Sequence, residues 1–520
     1  MKLVTVQEMR NLESRAAEKG LPSNVLMENA GKAIAREITK CFERIEGCPV
    51  LILIGPGNNG GDGLVTARYL HEWGANVKLY LCAERSSPDP NYILTQKRNI
   101  SVTRVADDKG FTQLEQFLAS SQIVIDALLG IGKSRLITGT LKEVITRVNE
   151  VKETSSHLTI FAVDIPSGLD SDTGYMDAAG IKADVTITLG CPKLGLLTFP
   201  GTKNAGKMVV ADIGIPPELT QDINVEVITR HWIKSRLPQR PPDANKGTFG
   251  KVMVISGSPN YIGAPYLACS GAIRTGAGLV TLGIGTSLQP ILATKMTEAT
   301  YLPLPEQEYG IIDIKAVEII KEQLSNYNVL LIGCGLGQNS STVEFVKSLL
   351  TSIAANTSQH VVIDADGLNA LAQFPYWWKK IPDDAILTPH PGEMSRLTDQ
   401  QTSIIQSRRL DTAREAAALW HKTVVLKGAY TIIAAADGRV NINPVANAGL
   451  ASAGTGDVLS GIIAGLLAQG ISSFEAASCG VFLHSIAGEM VKENLGDTGI
   501  LASDLLPVLP LAIRLTRDEP

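Results

Sequence analysis

The sequence is poor in cysteine and in aromatic residues, and it has no long apolar run. Seven cysteines are scattered through 520 residues without a C-x-x-C pair. This pattern favours neither a disulfide framework nor a zinc site and indicates a reducing, cytoplasmic environment. No window reaches the ~18 uninterrupted apolar residues of a membrane span, and the first 20 residues lack the apolar core of a signal peptide. We therefore expect neither membrane insertion nor export.

The sequence also lacks an excess of basic residues. It has 47 Lys and Arg against 52 Asp and Glu, a net charge of -5, and no Lys/Arg block of the kind that holds a phosphate backbone. We therefore expect no nucleic-acid partner. At ~150 residues per domain, the length predicts two to four domains.

Short β-branched runs alternate with helix-like stretches along the whole chain. This rhythm predicts an α/β fold with crossover connections and parallel sheets in both halves. A proline-rich and charged segment at 230–250 is typical of an exposed connection, so we place a domain boundary at 220–240. Strands are predicted at 50–54, 77–82, 123–126, 159–164, 185–189 and 208–213, then at 251–256, 279–284, 329–332, 360–363, 385–388, 423–427 and 431–434.

A glycine-rich loop follows the first predicted strand. It matches G-x-G-x-x-G at Gly55, Gly57 and Gly60, and Glu84 follows the next strand at the spacing of a ribose-binding acid. A dinucleotide-binding unit is therefore one interpretation. The exposed N–H groups at such a helix start can hold any phosphate.

Four residues of this loop differ from a plain pyrophosphate-binding turn. Pro56 removes one N–H donor, while Asn58, Asn59 and Asp62 add side-chain oxygens. Such oxygens favour a cation or a hydroxyl-bearing ligand.

The loop after the strand at 123–126 carries charge of both signs. Asp126 supplies a carboxylate, and Gly130, Gly132, Lys133 and Arg135 follow it as a flexible, positively charged phosphate clamp. The alternative is a tight turn with solvated basic side chains. Because ligands bind outside the carboxyl ends of parallel strands, this loop and the first one are expected to meet.

A third loop follows the strand at 159–164. It offers Asp164 and Ser167 on a proline-stiffened turn. A hard monovalent cation needs several oxygens at fixed positions, which Asn59, Asp126 and Ser167 would provide from three strand ends. The alternative is that Asp126 and Asp164 only cap turns.

The motifs GPGNNGGDG, DALLGIG and VDIPSGLD, in this order, resemble the YjeF amino-terminal family of NAD(P)H-hydrate epimerases over residues 1–220. The resemblance implies a Rossmann-like domain that binds a damaged nicotinamide nucleotide. It also implies a K⁺ ion near Asn59, Asp126 and Ser167. It makes Asp164 a substrate contact and our candidate proton carrier. The implied substrate-binding residues are Asn58, Asn59, Gly60, Gly61, Asp62, Gly130, Ile131, Gly132, Lys133, Ser134, Arg135, Leu136 and Asp164.

A second glycine-rich helix start lies in the carboxyl-terminal half. Gly454, Thr455, Gly456 and Asp457 precede the small-residue stretch 458–468. N–H groups and the helix dipole there favour a transferring phosphoryl group, and Asp457 is placed to accept a hydroxyl proton. That pairing suits phosphoryl transfer to an alcohol. The alternative is a tightly packed helix start that Asp457 caps.

Three polar loops support the interpretation of this helix start as a site of phosphoryl transfer. Lys427 ends a predicted strand, and 428–431 form a polar turn able to receive phosphates or ribose. Other strands precede Asp364, Asp366, Asn369, His390 and Glu393, and the carboxylates of these loops are candidate Mg²⁺ ligands, directly or through water. His390 is either a substrate contact or a structural hydrogen bonder. A further glycine loop at 332–341 matches a dinucleotide fingerprint only weakly.

The motifs GTGD, KGAYT, TPHPGE and DADGLN, with the opening NKGTFGKVMVISGSPNYIGA, resemble the ribokinase-like dehydratase domain of the NAD(P)H-hydrate repair family over residues 225–515. The resemblance implies that ADP phosphorylates the ring hydroxyl of S-NADHX or S-NADPHX, releasing AMP, and that loss of phosphate restores NADH or NADPH. Bacterial fused members of the family use ADP and eukaryotic members use ATP, and the residues of the loops do not decide between the two. Ala264, Gly335, His390 and Asp457 would line the hydrate. The implied nucleotide-binding residues are Lys427, Gly428, Ala429, Tyr430, Thr431, Gly454, Thr455 and Gly456.

We therefore predict a bifunctional, cytoplasmic epimerase and dehydratase that uses K⁺, Mg²⁺ and ADP and forms a homo-oligomer. Glu393 is the predicted Mg²⁺ ligand. Two alternatives stay open: a vitamin or sugar kinase with a regulatory Rossmann domain, and a non-catalytic nucleotide sensor.

Overall fold

A computed structural model of the chain describes residues 1–85, 88–132, 136–155, 157–354 and 359–518. The chain folds into two compact units, Met1–Ile223 and Asn224–Pro520. Each unit is built on its own sheet, and the predicted fold class, two α/β domains, is confirmed. In the part of the chain that is described, no helix has the length and apolar character needed to cross a bilayer.

The first unit contains a seven-stranded sheet in which every pairing is parallel, in the order β3-β2-β1-β4-β5-β6-β7. Its strands are β1 (Pro49–Ile54), β2 (Asn76–Leu81), β3 (Ser101–Arg104), β4 (Ile123–Ala127), β5 (Thr159–Val163), β6 (Val185–Leu189) and β7 (Lys207–Ala211). Its helices are α1 (Val6–Glu18), α2 (Ser23–Thr39), α3 (Asn58–Glu72), α4 (Pro90–Gln96), α5 (Thr112–Ser120) and α6 (Gly139–Thr154).

Strand β1 is apolar throughout because both faces of the sheet are covered. Val50, Ile52 and Ile54 belong to one core with α1, α2 and α3, whereas Leu51 and Leu53 belong to another with α5 and α6. Successive side chains of a strand point to opposite faces, so a continuous apolar run is what a doubly covered strand requires. The carboxyl ends of the parallel strands therefore remain as the accessible edge.

The second unit contains a ten-stranded sheet in the order β11-β10-β9-β14-β15-β16-β17-β18-β19-β8, and β12 pairs with β13. Its strands are β8 (Val225–Val227), β9 (Lys251–Ile255), β10 (Leu279–Gly285), β11 (Thr300–Leu304), β12 (Glu306–Glu308), β13 (Ile311–Ile312), β14 (Val329–Ile332), β15 (His360–Ile363), β16 (Ile386–Leu387), β17 (Thr423–Leu426), β18 (Ile432–Ala434) and β19 (Val440–Ile442).

The second unit has twelve helices among its described residues. They are α7 (Arg230–Lys234), α8 (Gly263–Thr275), α9 (Gln289–Ala293), α10 (Ala316–Leu324), α11 (Ser340–Ile353), α12 (Asp366–Leu371), α13 (Pro391–Thr398), α14 (Thr402–Ser407), α15 (Arg409–Trp420), α16 (Thr455–Ala468), α17 (Ser473–Leu495) and α18 (Leu505–Asp518). Helices α8, α16, α17 and α18 contribute to one large core with β9, β10 and β14.

The expectation of parallel pairing is wrong for two parts of the second unit, one of which is the antiparallel pair of β12 and β13. Strands β17, β18 and β19 pair antiparallel, because short turns rather than crossover helices connect them. Strands β3, β8, β11, β12, β13 and β19 were not predicted. Several of them are only two to four residues long, which is too short to show the alternation of apolar and polar residues that marks a strand.

The segment 230–250 is not simply an exposed connection. Thr229 caps α7 by accepting a hydrogen bond from the Trp232 N–H at 3.2 Å. The Arg236 guanidinium lies 3.9 Å from the centre of the Trp232 ring and pairs with Glu475 at 3.0 Å. Strand β8, which precedes α7, pairs with β19 at the edge of the second sheet. These contacts make the start of the segment part of the second unit.

Candidate active sites

The first unit has a cavity of about 680 Å³ at the carboxyl ends of its central strands, within the size range of small-molecule sites. Its lining includes seven predicted substrate-binding residues: Asn58, Asn59, Asp62, Gly130, Ile131, Gly132 and Asp164. Helix α3 begins at Asn58, so its amino terminus faces the cavity. The three loops are thus brought to one place by the sheet.

Gly60, Gly61 and Leu136, which were also predicted for this site, do not line the cavity. Gly60 and Gly61 are buried in α3, and a Cβ on Gly61 would lie 2.7 Å from the Met27 side chain, so that glycine serves packing. Leu136 is 75% exposed and does not line the cavity. Lys133, Ser134 and Arg135 lie outside the described residues. For these residues, substrate binding stays a prediction.

The three residues predicted to hold K⁺ form one hydrogen-bonded chain. The Asp126 carboxylate accepts hydrogen bonds from the Ser167 hydroxyl at 2.6 Å and from the Ser167 N–H at 2.7 Å. The Ser167 hydroxyl accepts from the Leu129 N–H at 2.9 Å, and the Asn59 amide donates to the Leu129 carbonyl at 2.8 Å. Burial raises the pKa of Asp126 to about 6 although these hydrogen bonds oppose the shift.

Asp164 forms an ion pair with a lysine that sequence reasoning missed. Lys193 is fully buried, and its ammonium also donates to the Leu189 carbonyl at 3.1 Å. Asp164 accepts further hydrogen bonds from the Leu189 N–H at 3.0 Å and the Thr188 hydroxyl at 3.2 Å. Its backbone lies in the left-handed region with φ of 66°, which is rare for an aspartate and is often found at functional sites.

Two more acids surround this ion pair. Burial, and then the charges of Asp164 and Glu13, raises the pKa of Asp62 well above its usual range. Burial likewise raises the pKa of Glu13, which also lines the cavity. The cavity lining therefore contains the buried Lys193 together with Glu13, Asp62 and Asp164. A signal for Lys193 exists in the sequence, because it lies four residues after the end of β6.

Within the dinucleotide interpretation of the first loop, the assignment of Glu84 as the ribose-binding acid is not supported. The Arg85 guanidinium donates to the Gly55 carbonyl at 2.5 Å and the Gly57 carbonyl at 3.1 Å, and it pairs with Asp89 at 2.6 Å. Glu84 is exposed and does not line the cavity. The loop thus holds an arginine of its own chain.

In the second unit, a buried ion pair lies at the ends of β15 and β17. The Lys427 ammonium donates to Asp364 at 2.7 Å and lies 3.8 Å from Glu393, while the Ser460 hydroxyl donates to Asp364 at 2.6 Å. Burial opposes protonation of Lys427, but the charges of Asp364 and Glu393 raise its pKa above the usual range. Lys427 was predicted to bind nucleotide, and here it is held by Asp364.

Asp457 lies in the first turn of α16, next to this ion pair. Gly454 precedes the helix with φ of +89°, and a Cβ on Gly456 would lie 3.3 Å from the Lys427 ammonium. Oxygens of Asp457 and Asp364 and the Cys334 sulfur lie within 4.8 Å of one another. Burial, and then the charge of Asp364, raises the pKa of Asp457 to about 7. A carboxylate with that pKa suits a general base at neutral pH.

The small residues farther along α16 have a structural role. A Cβ on Gly461 would lie 2.0 Å from the Ala268 carbonyl of α8. Thr455 is buried, and its hydroxyl donates within its own loop to the Leu450 and Ser452 carbonyls, both at 2.8 Å. Tight packing therefore explains the middle of α16, while its first turn keeps Gly456 and Asp457 beside Lys427.

Ala264 and Gly335, both predicted to line the hydrate, lie against each other. Gly335 has φ of +63°, and a Cβ there would lie 2.7 Å from the Ala264 Cβ. Gly335 follows Cys334, whose thiol hydrogen-bonds to Asp457. The loop after β14 and the amino terminus of α8 therefore meet near Asp457.

His390 caps helix α13, so its structural role is established. Its Nδ1 accepts hydrogen bonds from the Gly392 N–H at 3.0 Å and the Glu393 N–H at 3.3 Å. Burial, and then the charge of Lys427, lowers the pKa of His390. The Glu393 carboxylate in turn accepts a hydrogen bond from the His390 N–H at 2.8 Å, which completes a capping box. Because the Glu393 carboxylate also lies near the His390 Nε2, at 3.4 Å, it is poorly suited to ligate Mg²⁺ directly.

The candidate Mg²⁺ ligand Asp366 and the neighbouring Asn369 also hold their own loops. Asp366 accepts hydrogen bonds from the Gly337 N–H at 2.8 Å and the Gln338 amide at 3.0 Å. Asn369 accepts from the Arg396 guanidinium at 2.9 Å. These contacts tie the loops after β14 and β15 together and to α13.

The predicted nucleotide turn after β17 presents unpaired N–H groups. Thr431 donates its hydroxyl to the Gly428 carbonyl at 2.7 Å, and the Tyr430 N–H donates to the Val445 carbonyl at 3.1 Å. Within the described ranges, the N–H groups of Gly428 and Ala429 donate to no other protein atom. Free backbone donors at a strand end can bind an anion.

The pKa of Asp457 predicts how the rate of a reaction that uses it as a base depends on pH. The protonated acid cannot accept a proton, so kcat should rise as pH is raised through about 7 and level off above it. The measurement is kcat at saturating substrates across this range, with the activity of the first unit in the same buffers as the control. A kcat that falls through the same range would contradict the assignment.

Two family models match the chain. Residues 252–511 match the model described as NAD(P)H-hydrate dehydratase, and residues 23–195 match the YjeF-related protein N-terminus. A bifunctional NAD(P)H-hydrate repair enzyme from Moorella thermoacetica is 40% identical over 527 aligned residues, which cover 100% of this chain and 98% of the relative.

Solved structures resemble the second unit. A hypothetical protein from Streptococcus mutans aligns with 25% identity and a TM-score of 0.50, covering 56% of this chain and 100% of its own. An ADP/ATP-dependent NAD(P)H-hydrate dehydratase from Bacillus subtilis, crystallised with ATP/Mg²⁺, aligns with 32% identity and a TM-score of 0.48, covering 56% of this chain and 99% of its own.

Proposed function

Since the chain belongs to the family of bifunctional NAD(P)H-hydrate repair enzymes, we propose that it performs both repair steps itself. Its first unit interconverts the R and S forms of NADHX and NADPHX. Its second unit dehydrates the S form to NADH or NADPH. Each activity belongs to its own unit, because each unit has its own cluster of candidate catalytic residues.

The observation that carries the dehydratase proposal is the Asp457 carboxylate beside Lys427 and Gly456. The ring hydroxyl of the hydrate attacks the terminal phosphorus of the nucleotide, and Asp457 takes its proton. Lys427 supplies positive charge where the phosphoryl group is transferred. The electron pair of the ring nitrogen then expels phosphate, and loss of a proton from the adjacent carbon restores the dihydronicotinamide.

We propose ADP as the phosphoryl donor, with AMP and phosphate as products. The free N–H groups of Gly428 and Ala429 support an anion-binding role for the turn after β17. Mg²⁺ usually keeps several waters and binds through substrate phosphates. Glu393 would therefore contact it through water, since its carboxylate already caps α13.

For the epimerase, we propose that Asp164 is the proton carrier. Inverting the hydroxyl-bearing carbon needs proton movement or reversible opening of the C–O bond, and a carboxylate at the ring suits either. The ion pair with Lys193 holds Asp164 in place. Asp62, which lines the same cavity, is an additional polar contact for the substrate.

We propose that K⁺ binds among Asn59, Asp126 and Ser167. The donor set fits a hard cation, because it consists of oxygens and includes a fully buried carboxylate. In the described part of the chain, the Asn59 side-chain oxygen accepts no hydrogen bond. When bound, the ion would supply positive charge that orders the loops around the cavity.

Replacing K⁺ with choline at constant ionic strength is therefore expected to slow epimerisation several-fold. An Asp126→Asn variant should lose this dependence, because the site would lack its only carboxylate. The measurement is the rate of R to S conversion in the full chain in each salt. An equal rate in both salts for the unaltered protein would refute the K⁺ site.

We also propose a cytoplasmic location and a homo-oligomeric state. All seven cysteines are free thiols, which supports a reducing environment. Size-exclusion chromatography with light scattering would measure the oligomeric state directly.

The bifunctional proposal is tested by incubating the full chain with purified S and R hydrates separately. The S isomer should give NADH only when nucleotide is added, whereas the R isomer should give the S isomer without nucleotide and NADH with it. Vitamin alcohols should yield no phosphorylated product. Phosphorylation of such an alcohol, with the hydrates left unchanged, would favour a kinase instead.

A further inference from the structure

Arg409 lies at the start of α15, and its guanidinium contacts the backbone of the turn that follows β17. Its Nη2 donates to the Leu426 carbonyl at 3.0 Å and to the Lys427 carbonyl at 3.3 Å, and its Nη1 donates to the Gln406 side chain at 3.2 Å. Among the residues that the structure describes, no carboxylate forms an ion pair with it. Burial lowers the pKa of Arg409 to about 10, so the guanidinium is still a cation at neutral pH.

The guanidinium also packs against the backbone of the turn itself. A Cβ on Gly428 would lie 3.0 Å from Nη1 and 3.1 Å from Nη2 of Arg409, and Gly428 has φ of +140°. Glycine is therefore required here both by the backbone conformation and by the close approach of the guanidinium. The Arg409 guanidinium and the backbone of the turn are therefore packed directly against each other.

These contacts divide the polar groups of the turn into two sets. Arg409 occupies the carbonyls of Leu426 and Lys427, whereas the N–H groups of Gly428 and Ala429 have no acceptor within the described chain. A set of free N–H donors beside an unneutralised cation attracts a polyanion. Nothing in the reaction chemistry described above uses Arg409.

We propose that Arg409 is a positioning residue for the phosphates of the nucleotide. It fixes the turn so that the N–H groups of Gly428 and Ala429 are available to the phosphates, and its charge favours binding of the anion. The inference rests on the proposed nucleotide-dependent activity of the second unit and names a residue that acts through the turn rather than on the reacting atoms.

The role needs an arginine rather than any cation. The guanidinium donates from Nη2 to the Leu426 and Lys427 carbonyls and from Nη1 to the Gln406 side chain, and the single nitrogen of a lysine cannot span these two positions. Loss of Arg409 should therefore weaken nucleotide binding far more than it lowers kcat, because Asp457 and Lys427 lie on other elements. A merely structural residue would not separate these two effects.

The test measures the Kd of the full chain for ADP and for ATP, each with Mg²⁺, by isothermal titration calorimetry. For Arg409→Met we expect binding to weaken about tenfold or more, with Arg409→Lys in between, and kcat at saturating nucleotide close to that of the unaltered protein. Arg408→Met is the matched control, because the Arg408 side chain is 57% exposed and its ion pairs within the described residues are with the surface acids Asp411 and Glu415. It should bind nucleotide normally.

Unchanged nucleotide affinity in folded Arg409→Met would overturn the inference, as would a loss of kcat with unchanged affinity. If Arg409→Met does not fold, Arg409→Lys and Gly428→Ala decide the question, since the added Cβ displaces the guanidinium. Normal affinity in both would also overturn it. If the unaltered chain binds neither nucleotide, the proposed function of the second unit fails as well, which distinguishes that failure from failure of the Arg409 role.

Discussion

Asp457→Asn is expected to lower dehydration by about 10²- to 10⁴-fold, the range for loss of a general base. The amide keeps the size of the side chain but cannot accept the hydroxyl proton. Epimerisation should continue at the normal rate, because Asp164 and Lys193 belong to the first unit. The measurement compares NADH recovery from the S isomer with interconversion of the R and S isomers by the same sample.

The control for this variant is Asp497→Asn, which alters an exposed acid of the same unit. It should leave both rates unchanged. If folded Asp457→Asn lost both activities, the assignment of one activity to each unit would fail. If it kept normal dehydration, Asp457 would not be the base.

Lys193→Met is expected to abolish epimerisation and to destabilise the first unit by about 3–5 kcal/mol, the range for removing one partner of a buried ion pair. The change leaves Asp164 next to Glu13 and Asp62 without the cation that holds it. Amide hydrogen exchange in β5 and β6 would measure the loss of stability in this unit alone.

A double variant separates the structural from the catalytic part of this effect. Adding Asp164→Asn to Lys193→Met removes the unpaired buried charge, so hydrogen-exchange protection should partly return while epimerisation stays absent. Normal epimerisation by folded Lys193→Met would show that the ion pair does not serve the reaction.

The sequence predicted the central features of the fold because they depend on local patterns. The apolar run of β1 followed by GPGNNGGDG indicated a strand, a loop and a helix, and the structure has β1 and then α3 from Asn58. Strands such as β8 and β13 were not predicted because they are too short to have a recognisable pattern of their own; β8 is held by pairing with the distant β19, and β13 by pairing with the adjacent β12.

The sequence predicted polar residues within individual loops of the two sites, but not the contacts between residues that are far apart in sequence. The carboxylates at 126, 164 and 457 were visible as acids after strands or at a helix start. Their partners were not, because Lys193 reaches Asp164 across 29 positions and Lys427 reaches Asp364 across 63. The cap between His390 and Glu393 is local, yet the sequence did not distinguish it from a ligand contact, since both use the same side chains.

The most direct test of the account is the yield from an equal mixture of R and S NADHX incubated with the full chain, ADP and Mg²⁺. We expect all the hydrate to be converted, with NADH, AMP and phosphate formed in equal amounts, whereas Asp457→Asn should form them at least about a hundredfold more slowly and still equilibrate the isomers. Hydrate that stays unchanged with both ADP and ATP, or a phosphorylated product that accumulates without NADH, would contradict it.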